Sequence, residues 1–162
     1  MLNGKKVLLI ITGGIAAYKS LELVRKLKEK GAEVIPVMTK AAENFVTPMS
    51  VSALAQEKVF NKLFDLTDEA EMGHIELSRS SDLIIVVPAS ADFIAKTATG
   101  QANDLASTLI LATDTKVLMA PAMNVRMWEN PLTQKNIKIL HNNGVKFVGP
   151  DEGEMACGEF GF

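Results

Sequence analysis

The one cysteine in the chain, Cys157, lies in Gly153-Glu154-Met155-Ala156-Cys157-Gly158-Glu159-Phe160-Gly161. Glycines on both sides suit an accessible flap carrying a thiol. A lone cysteine is otherwise a small buried hydrophobe. A second candidate is Ala120-Pro121-Ala122-Met123-Asn124-Val125-Arg126-Met127-Trp128, which holds the only tryptophan. It follows an apolar run, so it falls where strands of an open sheet end and ligands collect. The alternative is a strand-to-helix turn in which Asn124 caps the helix and the methionines and tryptophan fill core. Of the two histidines, His141 falls in the last turn of an expected helix, where imidazolium suits the helix dipole. His74, in Gly73-His74-Ile75, is either structural or a titratable catalytic group.

Three further loops carry small polar residues. Thr12-Gly13-Gly14-Ile15-Ala16-Ala17 follows the first apolar run. It lacks the G-x-G-x-x-G spacing of a dinucleotide fingerprint. Its glycines would still let backbone N–H groups approach a phosphate, or simply make a tight turn. Thr39-Lys40-Ala41 and Pro88-Ala89-Ser90-Ala91-Asp92-Phe93 follow the second and third runs. Their hydroxyl and carboxylate groups could bond a ring or a ribityl chain, or cap helices.

The elements that must position these residues follow from the apolar pattern. The runs are Val7–Ile11, Val34–Met38, Leu83–Val87, Val117–Ala120 and Val145–Val148. Apolar residues at successive positions suit strands covered on both faces. Helical spacing occupies Ile15 to Lys30 before Gly31, Asn103 to Ala112, and Asn130-Pro131 to about Asn143 before Gly144. This alternation predicts an α/β fold, a Rossmann-like doubly wound parallel sheet in a single domain spanning 1–162. Pro36 removes a ladder donor, so an irregularity is expected there. The flap at about 150–162 is expected to be cut short by the end of the chain.

Charge narrows the function classes. The 17 Lys and Arg face 19 Asp and Glu, a formal net charge of −2. No basic run appears, so neither nucleic acid nor an anionic membrane is expected as a partner. A single cysteine permits no internal disulfide and supports no zinc site. No apolar run approaches the ~18 residues of a membrane span. A soluble cytoplasmic domain without a metal is expected.

Gly73-His74-Ile75, Pro121-Ala122-Met123-Asn124-Val125-Arg126-Met127-Trp128 and Ala156-Cys157-Gly158 together resemble the homo-oligomeric flavin-containing cysteine decarboxylases. The loops Thr12–Ala17 and Pro88–Phe93 also align, so the resemblance covers essentially the whole chain. It implies FMN as cofactor. Among members the chain looks most like the branch acting on 4′-phosphopantothenoylcysteine in coenzyme A biosynthesis, giving 4′-phosphopantetheine. Assembly as a trimer or dodecamer is implied, and so is a phosphopantothenate–cysteine ligase as a fused domain or separate protein.

The resemblance also implies roles. Gly13, Gly14 and Ile15 would hold the FMN phosphate end with Thr39, Lys40 and Ala41, while Ser90, Ala91, Asp92, Phe93 and Ala122 would meet the flavin. His74 would act in the oxidative half-reaction. Asn124 would bind the substrate carboxylate, with Glu154, Met155 and Ala156 closing over it, and Cys157 would donate a proton. Oxidation of the thiol carbon to a thioaldehyde would create an electron sink for loss of CO₂. Two positions depart from the family pattern: Asp92 stands where many members have Asn, and Glu159 replaces the Asp of an ACGD segment. The competing readings are a peptidyl-cysteine decarboxylase, a non-catalytic regulatory flavoprotein, and a flavin prenyltransferase. The first does not need Cys157, and the last lacks the His74 and Asn124 pair.

Overall fold

The computed structural model describes residues 1–63, 70–151, 153–154 and 160–161, with the side chains of 70–72, 74–75, 153–154 and 160–161 excepted. Its centre is a five-stranded parallel sheet in the order β2-β1-β3-β4-β5. The strands are β1 (Lys6–Ile11), β2 (Glu33–Met38), β3 (Leu83–Ala89), β4 (Val117–Pro121) and β5 (Lys146–Phe147). Each continuous apolar run has become a strand because its residues alternate between two apolar cores. Leu8, Ile10, Val37, Ile84, Val86 and Met119 face one side, and Val7, Leu9, Ile11, Val34 and Met38 the other.

Helices cover both faces. Helix α1 (Tyr18–Glu29) and α2 (Pro48–Ala55) bring Val24, Val51 and Ala55 against the second core. The first core takes Phe93 and Ile94 from α4 (Ala91–Ala98), Leu105 and Leu109 from α5 (Leu105–Ala112), and Leu140 from α7 (Pro131–Asn142). Helices α3 (Ala70–Arg79) and α6 (Val125–Glu129) precede β3 and follow β4. Outside the sheet, β6 (Gly153–Glu154) pairs antiparallel with β7 (Phe160–Gly161). Among the described residues, no helix is long and apolar enough to cross a membrane.

Helix boundaries follow local chemistry. The Asn130 side chain accepts from the Leu132 N–H at 2.8 Å and Pro131 opens α7, as the Asn-Pro pair predicts. Gly31 and Gly144 adopt φ of +93° and +94° just beyond α1 and α7, conformations that glycine reaches without a Cβ penalty. The expected helix from Ile15 begins instead with a 3-10 turn, Ile15–Ala17.

Pro36 causes no irregularity, contrary to expectation. β1 and β2 run in continuous register from Lys6 opposite Glu33 to Ile11 opposite Met38. Glu33 and Thr39 donate to Lys5 and Ile11, so odd-numbered N–H groups in β2 face β1. Pro36 therefore presents its donorless nitrogen to the outer edge, while its carbonyl accepts from Phe60 at 3.0 Å. The register shift occurs elsewhere, between Val86 and Ala89 where β3 passes Pro88 beside β4.

Candidate flavin cleft

Strand order reverses between β1 and β3: the chain runs outward to β2 on one side and to β4 and β5 on the other. Loops leaving β1 and β3 must diverge, and a crevice opens at their carboxyl ends. A cleft of about 360 Å³ lies there, within the usual range for small-molecule sites. Thr12, Gly13, Thr39, Lys40, Ala41, Asn44, Ser90, Asp92, Phe93, Lys96 and Asp104 line it.

Thr12 fixes the width of this opening. It is 1% exposed, its hydroxyl donates to the Pro88 carbonyl, and its oxygen accepts from the Ser90 N–H at 3.0 Å. One side chain thus ties the end of β1 to the end of β3. Thr12→Val should strand both partners, at about 2–3 kcal/mol. In calorimetry, a domain of this size should then lose about 4–12 °C of Tm, whereas Thr12→Ser should stay near wild type. An equal loss in both variants would remove the hydroxyl from this role.

On the β2 side, Gly13 permits close approach. A Cβ built there would sit 2.5 Å from the Ala41 Cβ and 3.0 Å from the Ala41 carbonyl carbon. Gly14 differs: its φ of 175° is ordinary extended backbone, and a Cβ would meet only Pro88 Cγ at 4.0 Å.

The polar lining is held by caps that leave donors over. Thr39 accepts from Ala42 N–H at 3.2 Å, opening the 3-10 turn Ala41–Asn44. Ser90 accepts from Phe93 N–H at 3.1 Å and caps α4. Both hydroxyls act as acceptors in these caps, so each keeps its O–H to donate. Capping and ligand binding, alternatives in the sequence, are therefore compatible here. Asp92 pairs with Lys96 at 3.3 Å, one turn along α4. The cleft's charges, Lys40 and Lys96 against Asp92 and Asp104, are formally balanced.

Not every expected residue lines the cleft. Ile15 is 63% exposed on the 3-10 turn, and Gly14 lies outside the lining. Ala91 faces a second groove of about 370 Å³, formed with Ala95, Met127, Asn130, Leu132, Thr133 and Asn136. Ala122 donates its N–H to the Ala89 carbonyl at 3.1 Å, joining the ends of β4 and β3. Asn124 is exposed and caps α6, accepting from Met127 N–H at 2.9 Å. Its oxygen is thereby fixed, and its NH₂ is left as a neutral donor. His74 falls within α3, and Glu154 within β6. Met155, Ala156 and Cys157 lie outside the described residues.

Thr12, Asn44, Lys96 and Asp104 carried no assigned role in the sequence. Thr12 had a legible signal, since it immediately precedes the two glycines. Asp104 reads from sequence only as a helix start, and chain crossing alone brings it to the cleft.

A family profile described as Flavoprotein matches residues 1–162. The chain belongs to the Flavoprotein family. A bifunctional coenzyme A biosynthesis protein CoaBC from Vibrio vulnificus strain YJ016 is 53% identical over 160 residues, covering 99% of this chain and 40% of the relative. The chain therefore spans about two-fifths of the length of that relative. A PPC decarboxylase mutant complexed with pantothenoylaminoethenethiol superposes with a TM-score of 0.85 at 30% identity, covering 97% of this chain and 88% of that one. The FMN-dependent cysteine decarboxylase SpaF gives a TM-score of 0.87 at 27% identity, covering 100% and 92%.

Proposed function

We propose that this flavoprotein domain uses FMN to decarboxylate 4′-phosphopantothenoylcysteine to 4′-phosphopantetheine in coenzyme A biosynthesis. The observation that carries this reading is the cleft at the β1/β3 divergence, with Asn124 presented just beyond β4, in a chain so similar to a PPC decarboxylase.

The cleft fits the cofactor. Gly13 makes a close backbone approach that any side chain would fill, Lys40 supplies a cation for a phosphate, and Thr39 and Ser90 keep hydroxyl donors. Gly13, Thr39, Lys40 and Ala41 would hold the phosphate end, with Gly14 and Ile15 in the adjoining turn. Ser90, Asp92 and Phe93 would meet the ring, with Ala91 and Ala122 behind them. Bound FMN would supply two-electron oxidation and re-reduction of the substrate carbon bearing the thiol.

The chain's own residues account for the rest. Asn124 would grip the substrate carboxylate through its NH₂. A neutral donor orients that group without the ground-state stabilisation a cation would give it, which would oppose loss of CO₂. His74 would serve the oxidative half-reaction. Glu154, Met155 and Ala156 would close over the carboxylate, and Cys157 would return a proton to the product. This thiol favours the pantetheine product over the enethiol left by a peptidyl-cysteine decarboxylase.

A trimer or dodecamer, a ligase domain or partner protein, and a cytoplasmic site of action belong to the same reading. Ile15, Tyr18, Phe45 and Met49 support assembly, because their large side chains stand exposed. The similarity to bifunctional CoaBC supports the ligase. The stretch 150–162 would serve as the flap of this flavoprotein domain.

The test is direct. Protein reconstituted with FMN and mixed anaerobically with 4′-phosphopantothenoylcysteine should release one CO₂ per 4′-phosphopantetheine formed. A protein that holds FMN yet leaves this substrate intact while decarboxylating a peptide ending in cysteine would overturn the substrate assignment.

A further inference from the structure

We propose that Asp104 is the cleft's acceptor for the hydroxylated chain of its ligand, and so selects a polyol-bearing flavin over a bare ring. This rests on the FMN reading and names a binding residue that the motifs do not include.

Asp104 lines the same cleft as Gly13, Lys40 and Ser90. It caps α5 through a reciprocal box. One carboxylate oxygen, Oδ1, takes the Ser107 N–H at 2.8 Å and the Ser107 hydroxyl, and the Asp104 N–H reaches Ser107 Oγ at 3.3 Å. Ser107 is itself fully buried, so the carboxylate is anchored at a rigid helix start. Oδ2 has no hydrogen-bond partner, and the carboxylate no ion pair, among the described residues. Lys96, which lines the cleft from α4, is already paired with Asp92.

A carboxylate only accepts, so its ligand partner must donate. A phosphate at that point would be repelled, like charge against like charge. A flavin ring is largely acceptor and apolar surface. A chain of hydroxyls offers several donors, and a hydroxyl bonded to an ionised acceptor is roughly twice as strong as a neutral pair. The free oxygen of Asp104 therefore matches the ribityl segment among the parts of FMN.

The sign of the mutational effect separates this from simple electrostatics. Asp104→Ser keeps a good N-cap but withdraws the free oxygen, and Asp104→Asn keeps both cap and size while removing the charge. Wild type and both variants would be titrated with FMN, riboflavin and lumiflavin, reading flavin fluorescence. Lumiflavin has the ring without the chain, and riboflavin has the chain without the phosphate.

The expected result is weaker binding of FMN and riboflavin by the same factor, about tenfold for Asp104→Ser and about threefold for Asp104→Asn. Lumiflavin affinity should not change. Unchanged or tighter FMN binding in Asp104→Ser would overturn the proposal, since the carboxylate would then only repel the phosphate. Equal weakening of all three flavins would overturn it too, by placing the effect in the fold. Wild-type protein that binds none of the three would instead sink the FMN reading itself.

Discussion

Gly13→Ala should weaken FMN binding by about 30-fold, close to 2 kcal/mol, although it adds only one methyl group. The added Cβ would lie 2.5 Å from the Ala41 Cβ, and the Ala41 backbone has little room to retreat. Ala42, the next residue, is fully buried, and its N–H is held by both the carbonyl and the hydroxyl of Thr39. Relief must come from moving the Thr39–Ala41 segment or the Gly13 turn, and both are walls of the cleft. Overpacking of this kind costs about 1–3 kcal/mol of stability as well, so Tm should fall by about 2–12 °C.

Gly14→Ala supplies the internal comparison, because its Cβ would find only the Pro88 ring edge at 4.0 Å. Its φ of 175° suits any residue, so the variant should fold with a Tm within about 2 °C of wild type. Calorimetry of both variants, with FMN titration, checks the pair. Normal FMN affinity in Gly13→Ala would show that the β1 and β2 loops are not the walls that matter.

That contrast marks where the sequence stopped being informative. Gly13 and Gly14 are adjacent and chemically identical, and only the approach of Ala41 from the turn after β2 distinguishes them. The parallel strands were legible because burial on both faces leaves a continuous apolar run, as in Leu8, Leu9, Ile10 and Ile11. The run Val145–Val148 was legible too, though its ladder holds only Lys146 and Phe147. Helix α6 gave no usable periodicity, since five residues are too short for an amphipathic pattern to declare itself.

The site was legible in its loops and illegible in its depth. Loops after β1, β2 and β3 had to meet once the sheet was doubly wound, and Thr39, Lys40, Ser90 and Phe93 do line one cleft. Lys96 and Asp104 reach it through the packing of α4 and α5, which no local spacing encodes. Pro36 shows the converse. Its donorless nitrogen is harmless only because β2 is an edge strand, a fact of strand order.

Asn124→Asp should lower kcat/KM for 4′-phosphopantothenoylcysteine by about 10²–10³, a loss of about 3–4 kcal/mol in transition-state stabilisation. The substitution isolates chemistry from architecture. Asn and Asp are equally good N-caps, so the bond to Met127 N–H at 2.9 Å persists and α6 keeps its start. What changes is the other terminal atom, from an NH₂ donor to a carboxylate oxygen. A substrate carboxylate then meets a like charge where it should meet a hydrogen bond, losing a charged-group bond of about 1.5–3 kcal/mol and gaining repulsion. Tm and FMN affinity should stay near wild type, because Asn124 lies outside the cleft lining. Asn124→Ser, which keeps a capping oxygen without adding charge, should be impaired less than Asn124→Asp. If the two are equally impaired with FMN fully bound, repulsion is not the operative term. If Asn124→Asp retains wild-type turnover, the substrate carboxylate does not bind at the head of α6, and the grip must lie elsewhere.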